Sequence, residues 1–307
     1  MPADLKRALP SHLLLLALLG AVTLLPKARP GVRDSAPLLV GIALIETLFL
    51  LAVFRGRRRG GAGTGPFDIA LLVWAAMLVW ELATSVYNKA HPVLVPSPEN
   101  VFDTFREQWR VMLLNVAYSM ELLAVGFSLG LVLAVALGLL AGWIPRLRAF
   151  AYPVANVMAP IPPIVISPYL VSLMPTFRSA SVLVIVLGVF WPTFLTTMDR
   201  VTSMEPQILD SARMLTPGTG TMILRILLPY IFPGVVSGLK VSMTTSLLML
   251  NFAELMGATH GMGYYVQNSI TYANYAHAVA GIFVIGAVVT VLSTAVGWLQ
   301  QRLIRWR

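Results

Sequence analysis

The sequence contains no cysteine, which excludes disulfides, thiolate metal sites and cysteine nucleophiles. Charge is scarce. Asp, Glu, Lys and Arg make up 11% of the 307 residues, against roughly 25% in soluble domains. A water-facing surface cannot be built from so little charge, which argues against an ordinary soluble enzyme or a DNA-binding protein. Histidine is sparse as well. His12, His91, His260 and His277 lie scattered, and none stands at metal-ligand spacing. Alternating-strand periodicity is absent, which argues against an outer-membrane barrel. No G-x-x-x-x-G-K-[ST] loop, HExxH pair or GxSxG-like set is present. The expectation is a non-enzymatic chain with no catalytic residue, no metal site and no cofactor bound by the chain itself.

What is present is apolar length. Hydrophobic residues make up 57% of the chain and mean hydropathy is +0.79. A helix crossing the bilayer core needs about 20 mainly apolar residues. Candidate segments fall near 11–25, 37–54, 67–87, 113–143, 150–174, 180–199, 232–257 and 277–299, predicting an all-α integral membrane protein. The first is short. The fourth is long, so its opening turns belong at the interface. The first 25 residues imitate a signal peptide but lack a small-x-small cleavage site, and are read as retained. The stretch G-G-A-G-T-G-P (60–66) is the clearest linker. It separates an N-terminal extension (1–60) with two predicted membrane helices from a six-helix remainder (61–307).

Short cytoplasmic loops are enriched in Lys and Arg. With both termini in the cytoplasm, the inside receives about twice as many basic residues as the outside, including Arg55, Arg57, Arg58, Arg146, Arg148, Arg200, Arg213 and Arg225. The net charge of +9 then reports topology rather than a nucleic-acid partner. Loop 26–36, carrying Lys27, Arg29 and Arg33 on the outside, is the exception.

One polar connection is long. Residues 200–231 read R-V-T-S-M-E-P-Q-I-L-D-S-A-R-M-L-T-P-G-T-G-T-M-I-L-R-I-L-L-P-Y-I. A helix pattern starts after Pro206, which suits a first-turn position. Ile208, Leu209, Ala212 and Leu215 form an apolar stripe with Asp210 and Arg213 beside it. Pro217-Gly218 breaks the helix, and a second short helix is expected from Met222 to Leu228, ending at Pro229. On periodicity alone, a folded surface loop fits as well as a docking element.

This loop resembles the signature of binding-protein-dependent (type I) ABC importer permeases, E-A-A, three residues, G, nine residues, I-x-L-P. Asp210, Ser211 and Ala212 stand at E-A-A, Thr216 at the glycine, and Ile226, Leu228 and Pro229 at I-x-L-P. Glu has become Asp, Ala has become Ser and Gly has become Thr, while Pro217-Gly218 supplies the break. P-V-L-V-P-S-P-E-N-V (92–101) is similar to the family's periplasmic L-P-S-P segment. Ser119 with Gly126-Phe127 is similar to its S-x-x-R-x-x-x-G-F, with Leu122 where the arginine usually stands. P-G-V-V-S-G-L-K (233–240), A-E-L-M-G-A (253–258) and G-M-G-Y-Y-V (261–266) look like the nitrate/sulfonate/taurine-type branch.

The resemblance covers roughly residues 67–307 and implies a six-helix permease core. It also implies that Asp210, Ser211, Ala212, Arg213, Thr216, Pro217, Gly218, Ile226, Leu228 and Pro229 belong to a coupling element docked on a separate ATP-binding-cassette ATPase, which would hold the ATP and Mg. The further partners it implies are a solute-binding protein and a second permease chain, in the inner membrane. A self-sufficient secondary transporter is the alternative, although no convincing internal repeat is present.

Polar residues inside a span tend to face protein or a water cavity. Glu254, with Asn251, Ser246 and Thr245, gives the 232–257 segment a polar side. Two readings stand for Glu254. It is a wall of the translocation pathway, or a buried carboxylate paired with Lys240 or another helix. Small polar residues beside it can equally serve as interhelical glue. The proline-rich turn A-P-I-P-P-I-V-I-S-P (159–168) interrupts the 150–174 segment.

Overall fold

A computed structural model describes residues 3–58, 65–214 and 218–303. Among them every regular element is helical. In chain order these are α1 (Ala3–Leu24), α2 (Ala36–Arg58), α3 (Gly65–Glu81), α4 (Pro98–Trp143), α5 (Pro145–Met158), α6 (Ser167–Leu173), α7 (Phe177–Thr202), α8 (Pro206–Met214), α9 (Thr219–Thr221), α10 (Leu228–Leu255), α11 (Met262–Thr271) and α12 (Tyr275–Leu303). Six helical stretches are long and apolar enough to span a membrane: Ala36–Arg55, Gly65–Val86, Pro98–Trp143, Phe177–Thr202, Thr219–Leu255 and Tyr275–Leu303. In α1 the apolar part is shorter, Leu9–Leu24. The Gly-rich linker lies outside the described residues from 59 to 64.

Two expectations need correction. Residues 150–174 do not form one span. Pro160, Pro162 and Pro163 end α5 after 14 residues, a single 3₁₀ turn follows at Pro163–Val165, and α6 adds only 7 residues. Proline lacks the N–H that would continue the ladder, and it biases the preceding residue away from helix. Second, no separate helix ends at Pro229. α9 runs through a π segment, Met222–Leu227, directly into α10, where the Leu228 N–H bonds to the Ile223 carbonyl. The change from i−4 to i−5 steps carries the helix past a residue that cannot donate. After Gly261 the chain enters a further helix, α11.

The chain divides into two compact units, residues 1–111 with 266–283 and residues 112–265 with 284–307. In the first, α1, α2 and α3 share a core of Leu18, Val22, Leu38, Ile42, Ala70, Trp74 and Met77, with Phe102 packed against it. Trp74 is fully buried. The three cations of loop 26–36 are all engaged. The Lys27 Nζ donates to Glu99 Oε1 at 2.5 Å, and Arg29 donates to the Pro92 carbonyl. Arg33 pairs with Asp103 at 2.8 Å and with Glu107 at 2.6 Å. Hydrogen bonds that Arg33 donates to Glu107 and then Asp103 hold its guanidinium above its ordinary pKa. The exception to the basic-inside rule is thus a set of cations with local partners. Glu99 is itself fully buried and also accepts from Ser85 at 2.6 Å.

In the second unit, α4 and α7 meet along a seam of small residues. Gly126, Gly130, Gly138 and Gly142 repeat at multiples of four, with buried Ala134 in the gap. A Cβ at these glycines would stand 2.8 Å from Ile185, 3.0 Å from the Val186 carbonyl, 2.7 Å from Thr197 and 2.8 Å from Val201. In hydrocarbon, helices gain little from burying apolar surface. Close backbone approach through small residues is what holds them together. Beside the seam, Leu122, Leu123, Phe127, Ile185, Val189, Leu247, Leu250 and Met262 form the main core. Leu122, where the resembling family has arginine, is 1% exposed within it.

Candidate functional site

Helix α8 begins at Pro206, where φ is already set for a helix. It turns Ala212 inward, with Leu209 packed alongside, onto a cluster of Leu139, Val201, Met204, Met222, Ile223, Leu227 and Ile231. Its other face is open. Ile208 is 39% and Met214 86% exposed, and Asp210 and Ser211 are exposed beside them. The Ser211 hydroxyl bonds back to the Gln207 carbonyl at 2.7 Å. Thr216 and Pro217 lie outside the described residues, as does the side chain of Arg213. Gly218 is the extended N-cap of α9, Ile226 packs against the same cluster as Ala212, and Leu228 and Pro229 continue into α10. Those of the expected coupling residues that are described share one end of the second unit. An apolar base fixes α8 and an exposed face carries one carboxylate and two large apolar side chains.

The polar residues of α10 divide into two groups. Thr245 and Ser246 bond back to the carbonyls of Val241 and Ser242 at 3.0 and 2.7 Å, the usual way a hydroxyl is satisfied inside an apolar helix. The Asn251 amide does the same with Leu247 at 2.9 Å. Ser246 is 1% exposed, whereas Thr245 and Asn251 are half-buried.

Glu254 belongs to a different construction. Both its oxygens face the start of α11. The Gly263 N–H donates to Oε2 at 2.7 Å and the Ser119 hydroxyl donates to Oε1 at 2.6 Å. Ser119 also accepts from the Met262 N–H at 2.8 Å, and Asn115 accepts from the Gly261 N–H at 2.8 Å. Three consecutive backbone donors at a helix start, which have no intrahelical partner, thus find three side-chain acceptors. Asn115 and Ser119 lie one turn apart on α4, so they rise on one face. A carboxylate is favoured at a helix N-terminus. Gly261 has φ +123, a region that favours glycine, and a Cβ there would collide with the Glu254 carboxylate.

Lys240 is exposed and is not the partner of Glu254. Asn115 escaped the sequence reading; its only signal was the four-residue spacing from Ser119. On α11 itself, burial pushes the Tyr265 phenol up to about 12. Among the described residues no group of three His, Asp or Glu could hold a metal ion.

Residues 126–307, which contain α8, α10 and α11, match the family described as binding-protein-dependent transport system inner membrane component. SsuC of Bacillus subtilis (strain 168), named as an aliphatic sulfonates transport permease protein, is 26% identical over 258 residues, 82% of this chain and 90% of its own. The taurine transport system permease protein TauC of Escherichia coli (strain K12) is 24% identical, over 79% of this chain and 88% of its own. Among solved structures, a chain of the inward-facing MetNI methionine ABC transporter superposes with a TM-score of 0.55 at 16% identity, covering 65% of this chain and 97% of that one. That likeness establishes the all-α ABC permease fold. The match over more than half of its length makes this chain a member of the binding-protein-dependent transport system inner membrane component family, a multi-pass permease of the inner membrane.

Proposed function

We propose that this permease lines the translocation pathway of an ATP-driven importer and draws its energy from a separate ATPase through the 200–231 segment. The observation that carries the reading is α8. It is anchored by Leu209 and Ala212, yet offers Ile208, Asp210, Ser211 and Met214 outward. An isolated nine-residue helix is marginal in water. A fixed one with an exposed mixed face suits a groove on a partner. The ATP and Mg belong to that ATPase, because no phosphate-binding loop occurs in this sequence. A solute-binding protein delivers cargo, and a second permease chain, identical or related, completes the pathway.

Both termini and α8 lie on the ATPase side in this reading, with loop 26–36 and α11 opposite. Residues 1–60 form an extension and 61–307 the permease core, in which the broken pair α5 and α6 stands where a sixth span was expected. Along α10, Thr245 and Asn251 contribute to the pathway wall, while buried Ser246 and Glu254 hold that wall in shape. The cargo is a small polar solute of sulfonate, oxyanion or vitamin-precursor type, consistent with relatives named for sulfonates and taurine. The carboxylate of Glu254 is 1% exposed and committed to Ser119 and Gly263, so it is not among the groups a cargo would touch.

Purification of the tagged chain in mild detergent tests the proposal. A stoichiometric ATPase subunit that hydrolyses ATP is the expected outcome. A chain that emerges alone and binds no ATPase would mean an autonomous secondary transporter instead.

A further inference from the structure

A cavity of about 510 Å³ opens at the end of the second unit that carries α8, within the range of about 300–1,000 Å³ typical of small-molecule sites. Its wall includes Trp143 at the end of α4, Arg148 and Tyr152 on α5, Thr202 at the end of α7, and Met204 and Leu209. We infer that it binds the headgroup of an anionic phospholipid, with the phosphate on Arg148 and the upper acyl chain against Trp143, Tyr152 and Pro153.

Four observations support that occupant. Two membrane-length helices, α4 and α7, end here at Trp143 and Thr202, which puts the cavity at the level where hydrocarbon gives way to water. Trp and Tyr favour that level because each joins an apolar ring to a polar tip. Arg148 is exposed, and among the described residues no acidic side chain bonds to it. Nor does any acidic residue line the cavity. The charged residues of α5 are Arg146 and Arg148 alone, and basic pockets at this boundary suit anionic headgroups. A planar guanidinium can give a phosphate two parallel charge-assisted hydrogen bonds.

The position gives the lipid a consequence. Leu209 belongs both to the cavity wall and to the apolar base that fixes α8. An occupied cavity therefore buttresses α8 from its inner side. This consequence rests on the coupling role proposed for α8; the lipid site itself does not.

The test uses the full chain with its copurified ATPase, in nanodiscs of phosphatidylcholine alone or with a minor fraction of phosphatidylglycerol. Native mass spectrometry counts the phosphatidylglycerol retained after delipidation. Wild type should retain one more than Arg148→Gln, whose apparent affinity should fall about tenfold, as expected for losing a charge-assisted hydrogen bond. Arg148→Lys should fall between them. Ala149→Trp, which fills the cavity from an exposed position and keeps the charge, should lose the lipid as well. Equal retention by wild type and Arg148→Gln would overturn the site. Displacement of the lipid by inorganic phosphate would overturn it too, in favour of a soluble anion. Absence of a copurifying ATPase would instead sink the importer reading, and retention by the chain alone would still be measurable.

Discussion

Ser119 and Glu254, 135 residues apart, share a 2.6 Å hydrogen bond inside the protein, and each also receives a backbone N–H from the first turn of α11. Glu254→Ala removes both acceptor oxygens and leaves the Gly263 N–H and the Ser119 O–H without acceptors. The expected cost is about 3 kcal/mol, at roughly 1–3 kcal/mol for each buried group left unsatisfied. Glu254→Gln keeps one acceptor and should cost less. Thermal unfolding of the purified protein should rank wild type above Gln and Gln above Ala. Equal midpoints would mean that the cap contributes nothing.

Gly261 should tolerate no side chain. Alanine there meets both a left-handed φ of +123 and the Glu254 carboxylate, so Gly261→Ala should destabilise by at least ~1 kcal/mol. Gly238, inside α10 with nothing within 4 Å of a new Cβ, should respond oppositely. Alanine there is neutral to stabilising by up to ~1 kcal/mol. The pair can be compared in one thermal series.

The α4–α7 seam predicts a third contrast. Gly138→Val forces bulk against Thr197 and the Phe194 carbonyl, and overpacking of a close contact typically costs about 1–3 kcal/mol. Crosslinking yield between cysteines placed on α4 and α7 should drop with the stability. An unchanged yield would show that the helices meet elsewhere.

Much of the architecture was legible because hydrocarbon imposes simple demands. Scarce charge and apolar runs located α2, α3, α7 and α12 to within a few residues. Pro206 marked the start of α8, and the proline cluster at 160–163 marked a break. The missed features depend on partners that sequence proximity does not reveal. Lys27 meets Glu99 across 72 residues and Gly261 meets Asn115 across 146. Pro229 reads locally as a stop, yet the i−5 step before it lets the helix pass. α4 starts at Pro98, well before residue 113, because Arg106, Glu107, Gln108 and Arg110 suit a helix outside hydrocarbon as well as a loop.

Lys27→Met should be more harmful than its partly exposed position suggests, since it leaves the buried Glu99 without its cation. Breaking one side of a buried pair costs about 3–5 kcal/mol. The double variant Lys27→Met/Glu99→Gln should recover part of that loss, and a double-mutant cycle on thermal unfolding measures the coupling. Deleting residues 1–60 should preserve insertion of the core while lowering its stability, because the deletion uncovers Trp74 as well as Glu99.

Replacing Asp210 and Arg213 together should uncouple ATP hydrolysis from uptake while the protein remains folded. Reconstituted vesicles report both quantities. Undiminished uptake would remove α8 from the coupling role.

The continuous run from Thr219 to Leu255 has a mechanical meaning. Thirty-seven residues at 1.5 Å each make a strut roughly 55 Å long, with one foot beside α8 and the other at the Glu254 cap. The π segment at Met222–Leu227 and Pro233 are the two places along it where the regular ladder is broken, and such places are where helices bend. Beyond Leu255 the next break is the turn between Gly257 and Gly261, where φ values of +151 and +123 stand within five residues of each other.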